Sequence, residues 1–222
     1  MGASNRLLDC QSPTGPAFEG AQICGGQRAE PGASERLRID PATLEPRYKV
    51  IGCDLWSDEA GFEEAIADTG VTGICGSGII EAIAEMYLAG IITQDGLMDG
   101  GFAVRSPRIE SYKRTFNYII RQPTDGSNQP LIRITQNDVR AIQMAKAALY
   151  AGVRLLMDKL GLDAPDKIRL AGAFGSHTDL QYAMRCGLIP DVNLARVQSA
   201  CNSACTGARM AALSQAARRQ RR

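Results

Sequence analysis

Apolar residues recur most regularly between Thr135 and Gly161, where Ile142, Ala145, Leu149, Val153, Leu156 and Leu160 fall on one helical face and Arg140, Gln143, Lys146 and Tyr150 on another. Thr135 stands where an N-cap belongs, Asp138 follows three residues later and Gly161 closes the run, so the pattern predicts one long helix with a core face and a polar face. A second stripe, Ile79, Ile80, Ile83, Ala84 and Tyr87, predicts a helix entered through GVTGICGSG and stopped at Gly90. Alternation marks strands at RLRID (36–40) and YKVIG (48–52), broken by Asp40-Pro41. FNYIIRQ and LIRIT flank the polar PTDGSNQP and read as an antiparallel hairpin, and KIRLAGA after the long helix reads as a strand. Shorter helices are expected over 62–68, 180–187 and 206–218, whereas GPAFEGAQICGG (15–26) and EPGASE (30–35) read as turns between short apolar pieces. No internal repeat interrupts this succession, which predicts an α/β architecture in a single lobe, residues 1–222.

Composition narrows the function classes. The 222 residues suffice for one sizeable core, and 25 Lys+Arg against 24 Asp+Glu leave a net charge of +1. That balance gives no field for nucleic acid or anionic lipid; Arg218, Arg219, Arg221 and Arg222 read as a solvated basic tail over 218–222. No apolar stretch has signal-peptide or membrane-span length, so a cytoplasmic protein without a membrane partner is expected. Seven cysteines with no Cys-x-x-Cys, and a single His177, fit neither a disulfide framework nor a zinc site. Only Cys201 and Cys205 could share a helix face, and they are expected to be buried as small hydrophobes.

Candidate chemistry lies in the glycines. Gly73, Gly76 and Gly78 in GICGSG, and Gly172 and Gly175 in GAFG, could let a backbone approach phosphate or ribose, or could serve only tight turns. Neither segment matches the phosphate-loop pattern, and GICGSG has neither the preceding strand nor the acidic residue about 20 positions on that a dinucleotide fingerprint needs. His177 beside Ser176 reads as a surface loop residue, because a nucleophile and base are assembled in space and not by adjacency. Glu19 could hold a hydrated Mg²⁺ or cap an amide, and spacing leaves both open. No catalytic residue and no metal ligand set is assigned.

Five segments read together add a resemblance: SPTGPAFEGAQI (12–23), GQRAEPG (26–32), TGICGSGIIEAIAEM (72–86), ITQNDVRAIQMAKAALYAG (134–152), and LAGAFGSHTD with the later GLIP (170–190). In this order they resemble the C-terminal part of the reductive activators of corrinoid proteins, over nearly the whole chain. The resemblance implies an incomplete C-terminal portion of the acetate and sugar kinase, Hsp70 and actin (ASKHA, ribonuclease H-like) fold. It implies ATP with Mg²⁺ as cofactor, and a corrinoid protein of a methyltransferase system as the partner returned to Co(I). In that family a [2Fe-2S] cluster in an N-terminal ferredoxin-like domain supplies the electron. A homodimer is left open.

Carried over residue by residue, LAGAFG is similar to the adenosine motif, which assigns Gly172, Ala173, Phe174, Gly175 and Ser176 to ribose and adenine. The long helix is similar to the one that closes over adenine, which assigns Gln143, Lys146 and Tyr150, with Lys146 meeting either the ribose or solvent. GPAFEG places Phe18 in the core and turns Glu19 and Gly20 towards the cleft. NSACTGARMAAL is similar to a connecting helix whose small residues let the two lobes cross closely. Departures accompany these assignments. The two phosphate motifs and the iron-sulfur cysteines of the family are absent, and Cys201 and Cys205 stand where the family pattern has glycines, which puts a close helix crossing in doubt. The chain therefore resembles a fragment of a longer activator. A non-catalytic interaction lobe or decayed fragment, and a small-molecule kinase of the same superfamily, are the alternatives; the kinase lacks a recognisable catalytic carboxylate and substrate loop.

Overall fold

A computed structural model of the chain describes residues 1–3, 6–123, 129–172, 177–200 and 203–219. Its strands are β1 (Gly2–Ala3), β2 (Arg6–Leu7), β3 (Ala33–Ile39), β4 (Pro46–Val50), β5 (Gly73–Ile74), β6 (Ile109–Tyr112), β7 (Thr115–Arg121), β8 (Ile132–Thr135), β9 (Ile168–Leu170) and β10 (Val197–Ser199). The helices are α1 (Phe62–Ala65), α2 (Gly76–Leu88), α3 (Gln136–Leu160), α4 (Leu180–Arg185), α5 (Ser203–Leu213) and α6 (Gln215–Arg219), with a 3₁₀ turn at Ala17–Glu19.

The β3–β4 hairpin turns on Asp40, whose Oδ1 accepts the N–H groups of Ala42 at 2.7 Å and Thr43 at 3.0 Å. Antiparallel register sets Leu37 against Tyr48, and their face, with Ile39 and Val50, is buried. The other face carries Arg36 opposite Lys49 and Arg38 opposite Arg47. β5 pairs parallel to β3 only at Ala33 and Ser34. Beyond it, two carboxylates of α2 cover the strand: Glu81 Oε2 accepts the Leu37 N–H at 3.0 Å and Glu85 Oε2 accepts that of Ile39 at 2.9 Å. The second sheet, β6-β7-β8, is antiparallel throughout, and β9 pairs parallel to β10.

Two cores result. The larger joins Leu37, Tyr48, Phe62, Ile79, Met86, Tyr118, Ile134 and Ile142, and so unites both three-stranded sheets with α1, α2 and the first half of α3. The smaller joins Ile80 and Ala84 of α2 to Tyr182 and Ala183 of α4, Leu188, Ile189 and Val197 of β10. Phe18, expected in the core, is half-buried and packs against the edge of both.

The long helix, the hairpin and the strand pair of the first sheet agree with the sequence pattern, and α3 opens with the full capping box of Thr135 and Asp138. Other expectations are corrected. α1 is a single turn, β6 adds a third strand to the hairpin, and the last helix is two pieces meeting at Ser214. Tyr87 is 48% exposed and not part of the core stripe. Leu149, Val153, Leu156 and Leu160 are only half-buried, with Met157 the buried residue of that half. The reason is reach: α3 has 25 residues, about 37 Å at 1.5 Å each, and only its first half lies over the larger core. Cys205 is exposed and not a buried hydrophobe; Cys201 lies outside the described residues. His177 is exposed, as expected, but helical and not in a loop. Among the described residues no helix is long and apolar enough to cross a membrane.

Candidate functional site

Three glycine-bearing turns meet at the N-terminal end of α2. The 3₁₀ turn Ala17–Glu19 ends at Gly20 with φ 82°, the left-handed region that favours glycine. A Cβ at Gly20 would sit 2.6 Å from the Gln27 carbonyl oxygen, and one at Gly26 would sit 2.0 Å from the Gly20 carbonyl oxygen, so the turn and GGQ (25–27) are clamped backbone to backbone. A Cβ at Gly73 would meet Gln27 and the Gly25 carbonyl oxygen at 2.6 Å, and at Gly78 the Ser34 carbonyl oxygen at 2.4 Å. Close packing is therefore what these glycines provide. The strand missing from the sequence reading of GICGSG exists as the two-residue β5 inside the motif. Asp138 joins this end as well: besides closing its capping box, it is buried and its Oδ1 accepts the Cys24 N–H at 2.9 Å.

Of the two carried-over residues here, Gly20 is buried in the clamp and the Glu19 side chain is exposed beside Phe18. Nearby, a Cβ at Gly152 of α3 would lie 2.3 Å from Ser12 Oγ, so the SPTG segment lies directly on that helix.

The polar face of α3 divides between two clefts. Gln143 and Lys146 line one of about 260 Å³ together with Ile83, Tyr87, Arg185 and Cys186. Gln143 is held there: its Oε1 accepts from Arg140 at 2.7 Å and its Nε2 donates to the Asp95 carbonyl at 3.2 Å. Lys146 reaches the α4 exit, where a Cβ at Gly187 would come 3.1 Å from its Nζ. Burial pushes the neighbouring Cys186 thiol up to about 11, against a smaller downward pull from the Lys146 charge. Tyr150 instead lines a depression of about 140 Å³ with Met157, Asp163, Pro165 and Pro190. The first cleft is smaller than the ~300–1,000 Å³ of sites that enclose a whole ligand, and so has room for part of one.

Gly172, two residues beyond β9, has φ 107°, and a Cβ built on it would meet nothing within 4 Å. Ala173, Phe174, Gly175 and Ser176 lie outside the described residues. Thr178 is buried, and Asp179 caps α4 by accepting the Gln181 N–H at 2.8 Å. Among the described residues no group of three or more His, Cys, Asp or Glu side chains could hold a metal ion.

The buried carboxylates of α2 escaped the sequence reading. Glu81 is 1% exposed and accepts from Arg36 at 2.8 Å and Arg38 at 2.5 Å as well as from the backbone. Glu85 takes the Tyr182 hydroxyl with its second oxygen. Two acids four apart in the apolar run IIEAIAEMYL were the available signal.

A family model described as the C-terminal domain of RACo, the ASKHA domain, matches residues 1–222. The corrinoid activation enzyme RamQ of Eubacterium limosum is 34% identical over 225 aligned positions, covering 96% of this chain and 34% of that protein. A [Co(II) methylated amine-specific corrinoid protein] reductase of Methanosarcina barkeri is 25% identical over 205 positions, covering 84% and 32%. Among solved structures, a reductive activator for corrinoid,iron-sulfur protein superposes with a TM-score of 0.76 at 34% identity, over 93% of this chain and 30% of that one. The chain thus spans about a third of the length of the relatives it matches.

Proposed function

The chain belongs to the family of RACo C-terminal ASKHA domains, and from that membership we propose that it is the adenosine-binding part of an ATP-dependent activator that returns an inactivated corrinoid protein to Co(I). The observation that carries the reading is Gly172: a glycine two residues beyond a strand, at φ 107° and with room where a Cβ would sit, suits an adenosine passing across a strand-to-helix turn. Gln143 and Lys146 would hold the adenine and ribose from the α3 side, with Lys146 donating to ribose oxygens. Glu19, exposed beside the clamped Gly20, would face the phosphates through water. Tyr150, which lines a separate depression, falls outside this site. Nucleotide binding supplies differential affinity for two arrangements of the lobes, and about 59 mV of a one-electron step corresponds to each tenfold bias. The electron would come from a [2Fe-2S] cluster in a ferredoxin-like domain acting with this lobe, and the corrinoid protein would be its acceptor.

Calorimetric titration of the 222-residue chain with ADP and with ATP, each with Mg²⁺, tests this beside a thermal melt. Both nucleotides should bind with similar modest affinity, because the contacts named are to adenosine. Gly172→Val, which places a branched side chain at φ 107°, should abolish binding while the melt stays cooperative. A folded chain that binds neither nucleotide, or a Gly172→Val variant of unchanged affinity, overturns the assignment.

A further inference from the structure

A roomy cavity lies away from the glycine turns. It has a volume of about 820 Å³, within the range of small-molecule sites, and opens beside Ile39 at the end of β3 remote from GICGSG. Four arginines, Arg38, Arg47, Arg108 and Arg121, line it beside the carboxylates of Asp40, Glu45, Asp58, Glu63 and Glu85. Two are firmly committed. Arg38 holds the buried Glu81 at 2.5 Å, and Arg108 holds Glu45 at 2.7 Å and 2.9 Å.

The other two are loosely engaged. Arg121 has a side chain only 7% exposed, and it extends NH1 and NH2 in a parallel fork to the two oxygens of Glu63, both at 3.2 Å. Charge-assisted bonds of this kind settle at about 2.7–2.9 Å. Glu63 is 68% exposed, so water competes for it, and the Arg121 Nε–H is buried without a partner. Arg121 is fixed from behind by the Tyr48 hydroxyl, which accepts from NH1 at 2.9 Å. Arg47 is 3.8 Å from Asp58, with both side chains half exposed. A buried guanidinium is expensive to keep unless an anion completes it. Here the fold supplies a carboxylate that is exposed and held at long range, in the position a ligand oxyanion would occupy.

We propose that this cavity is a binding site for a small oxyanionic ligand, carrying carboxylate or phosphate groups, which takes the Arg121 fork from Glu63 and bridges it to Arg47. Glu63 is then the occupant of the empty site, displaced into water when the ligand enters. The Tyr48 hydroxyl, accepting from Arg121, keeps its own proton to donate. Arg47 also stacks 4.7 Å from the ring centre of Trp56, the single tryptophan of the chain, so its movement towards a ligand is reported by a built-in fluorophore.

Citrate and pyrophosphate, titrated separately into the full chain and followed by Trp56 emission and by calorimetry, test the site. At least one should bind saturably, and which of them does assigns the ligand to carboxylates or to phosphates. Arg47→Gln should weaken that binding about tenfold, the scale of one lost charge-assisted bond, with an unchanged melt. Glu63→Gln should tighten it by removing the competing carboxylate. Arg121→Gln should abolish it; if that variant fails to fold, the Arg47 and Glu63 variants decide. Absence of saturable binding for both anions, or binding that Arg47→Gln and Glu63→Gln leave unchanged, overturns the proposal. None of these variants touches Gly172 or Lys146, so the ADP titration remains a separate result.

Discussion

Replacing Glu81 tests whether the first sheet depends on a carboxylate supplied by a helix. Glu81→Ala removes the acceptor of the buried Leu37 N–H and the shared partner of Arg36 and Arg38. An orphaned buried amide costs about 1–3 kcal/mol. The arginine side chains are 32% and 30% exposed and can turn partly to water, so their share falls well below the ~3–5 kcal/mol of a fully buried broken pair. Register adds to the loss, because without Glu81 the cations of Arg36 and Lys49, and of Arg38 and Arg47, face each other across the strands uncompensated. The sum is about 3 kcal/mol, or about 6–12 °C in Tm for a chain of this size. Glu81→Gln keeps an oxygen for the Leu37 N–H and loses only the charge, and should cost about 1 kcal/mol. Urea and thermal denaturation of both variants against the parent measure the two terms separately. If both melt within about 2 °C of the parent, the covered edge does not need the carboxylate and the reasoning fails.

Gly78→Ala places a Cβ 2.4 Å from the Ser34 carbonyl oxygen inside a buried helix turn and should cost about 1–3 kcal/mol by urea denaturation, whereas Gly161→Ala, with open space around it, should lose only the left-handed strain of about 1 kcal/mol. The Cys186 thiol, raised by burial from 9.0 to about 11, should react with a thiol-specific disulfide reagent at pH 8 far more slowly than the exposed Cys10 and Cys205. The folded state holds that proton more tightly than the unfolded state does. Its contribution to stability is therefore complete below about pH 9 and lost as pH rises towards 11, so Cys186→Ser should flatten the alkaline limb of a stability profile.

The long helix was legible because its start, stripe and stop are all local: Thr135 and Asp138 close the capping box and Gly161 takes the left-handed exit. What periodicity could not show is how far the core reaches along it. Gln143 and Tyr150 are seven residues apart, two turns on one face, yet about 10.5 Å of axis brings them under different neighbours. The 92–96 loop and the α4 exit border the first, and Asp163, Pro165 and Pro190 border the second. β5 was hidden by its length, since two residues cannot express a period of two. The arginine cavity was illegible for a stronger reason: Arg38, Arg47, Arg108 and Arg121 come from four different strands or loops, and only the register of two sheets assembles them.

The glycine turns and the arginine cavity both border one helix, α2. The N-terminal turn of α2 is pressed onto β3 at Gly78 and Ser34, beside the glycine turns, while Glu85 in its last turn lines the arginine cavity. Glu85 bonds the Ile39 amide of the larger core with one oxygen and the Tyr182 hydroxyl of the smaller core with the other. Tyr182 in turn lies beneath Arg38, whose guanidinium is 4.6 Å from the ring centre, with Arg185 at 5.7 Å. Arg185 borders the Gln143–Lys146 cleft. A continuous set of contacts therefore runs from the cavity through Glu85 and Tyr182 to that cleft, along the C-terminal half of a helix whose other end is clamped. An anion seated between Arg121 and Arg47 would leave Arg38 on Glu81 and over Tyr182, so the contacts that join the two cores through α2 need not break for the cavity to fill.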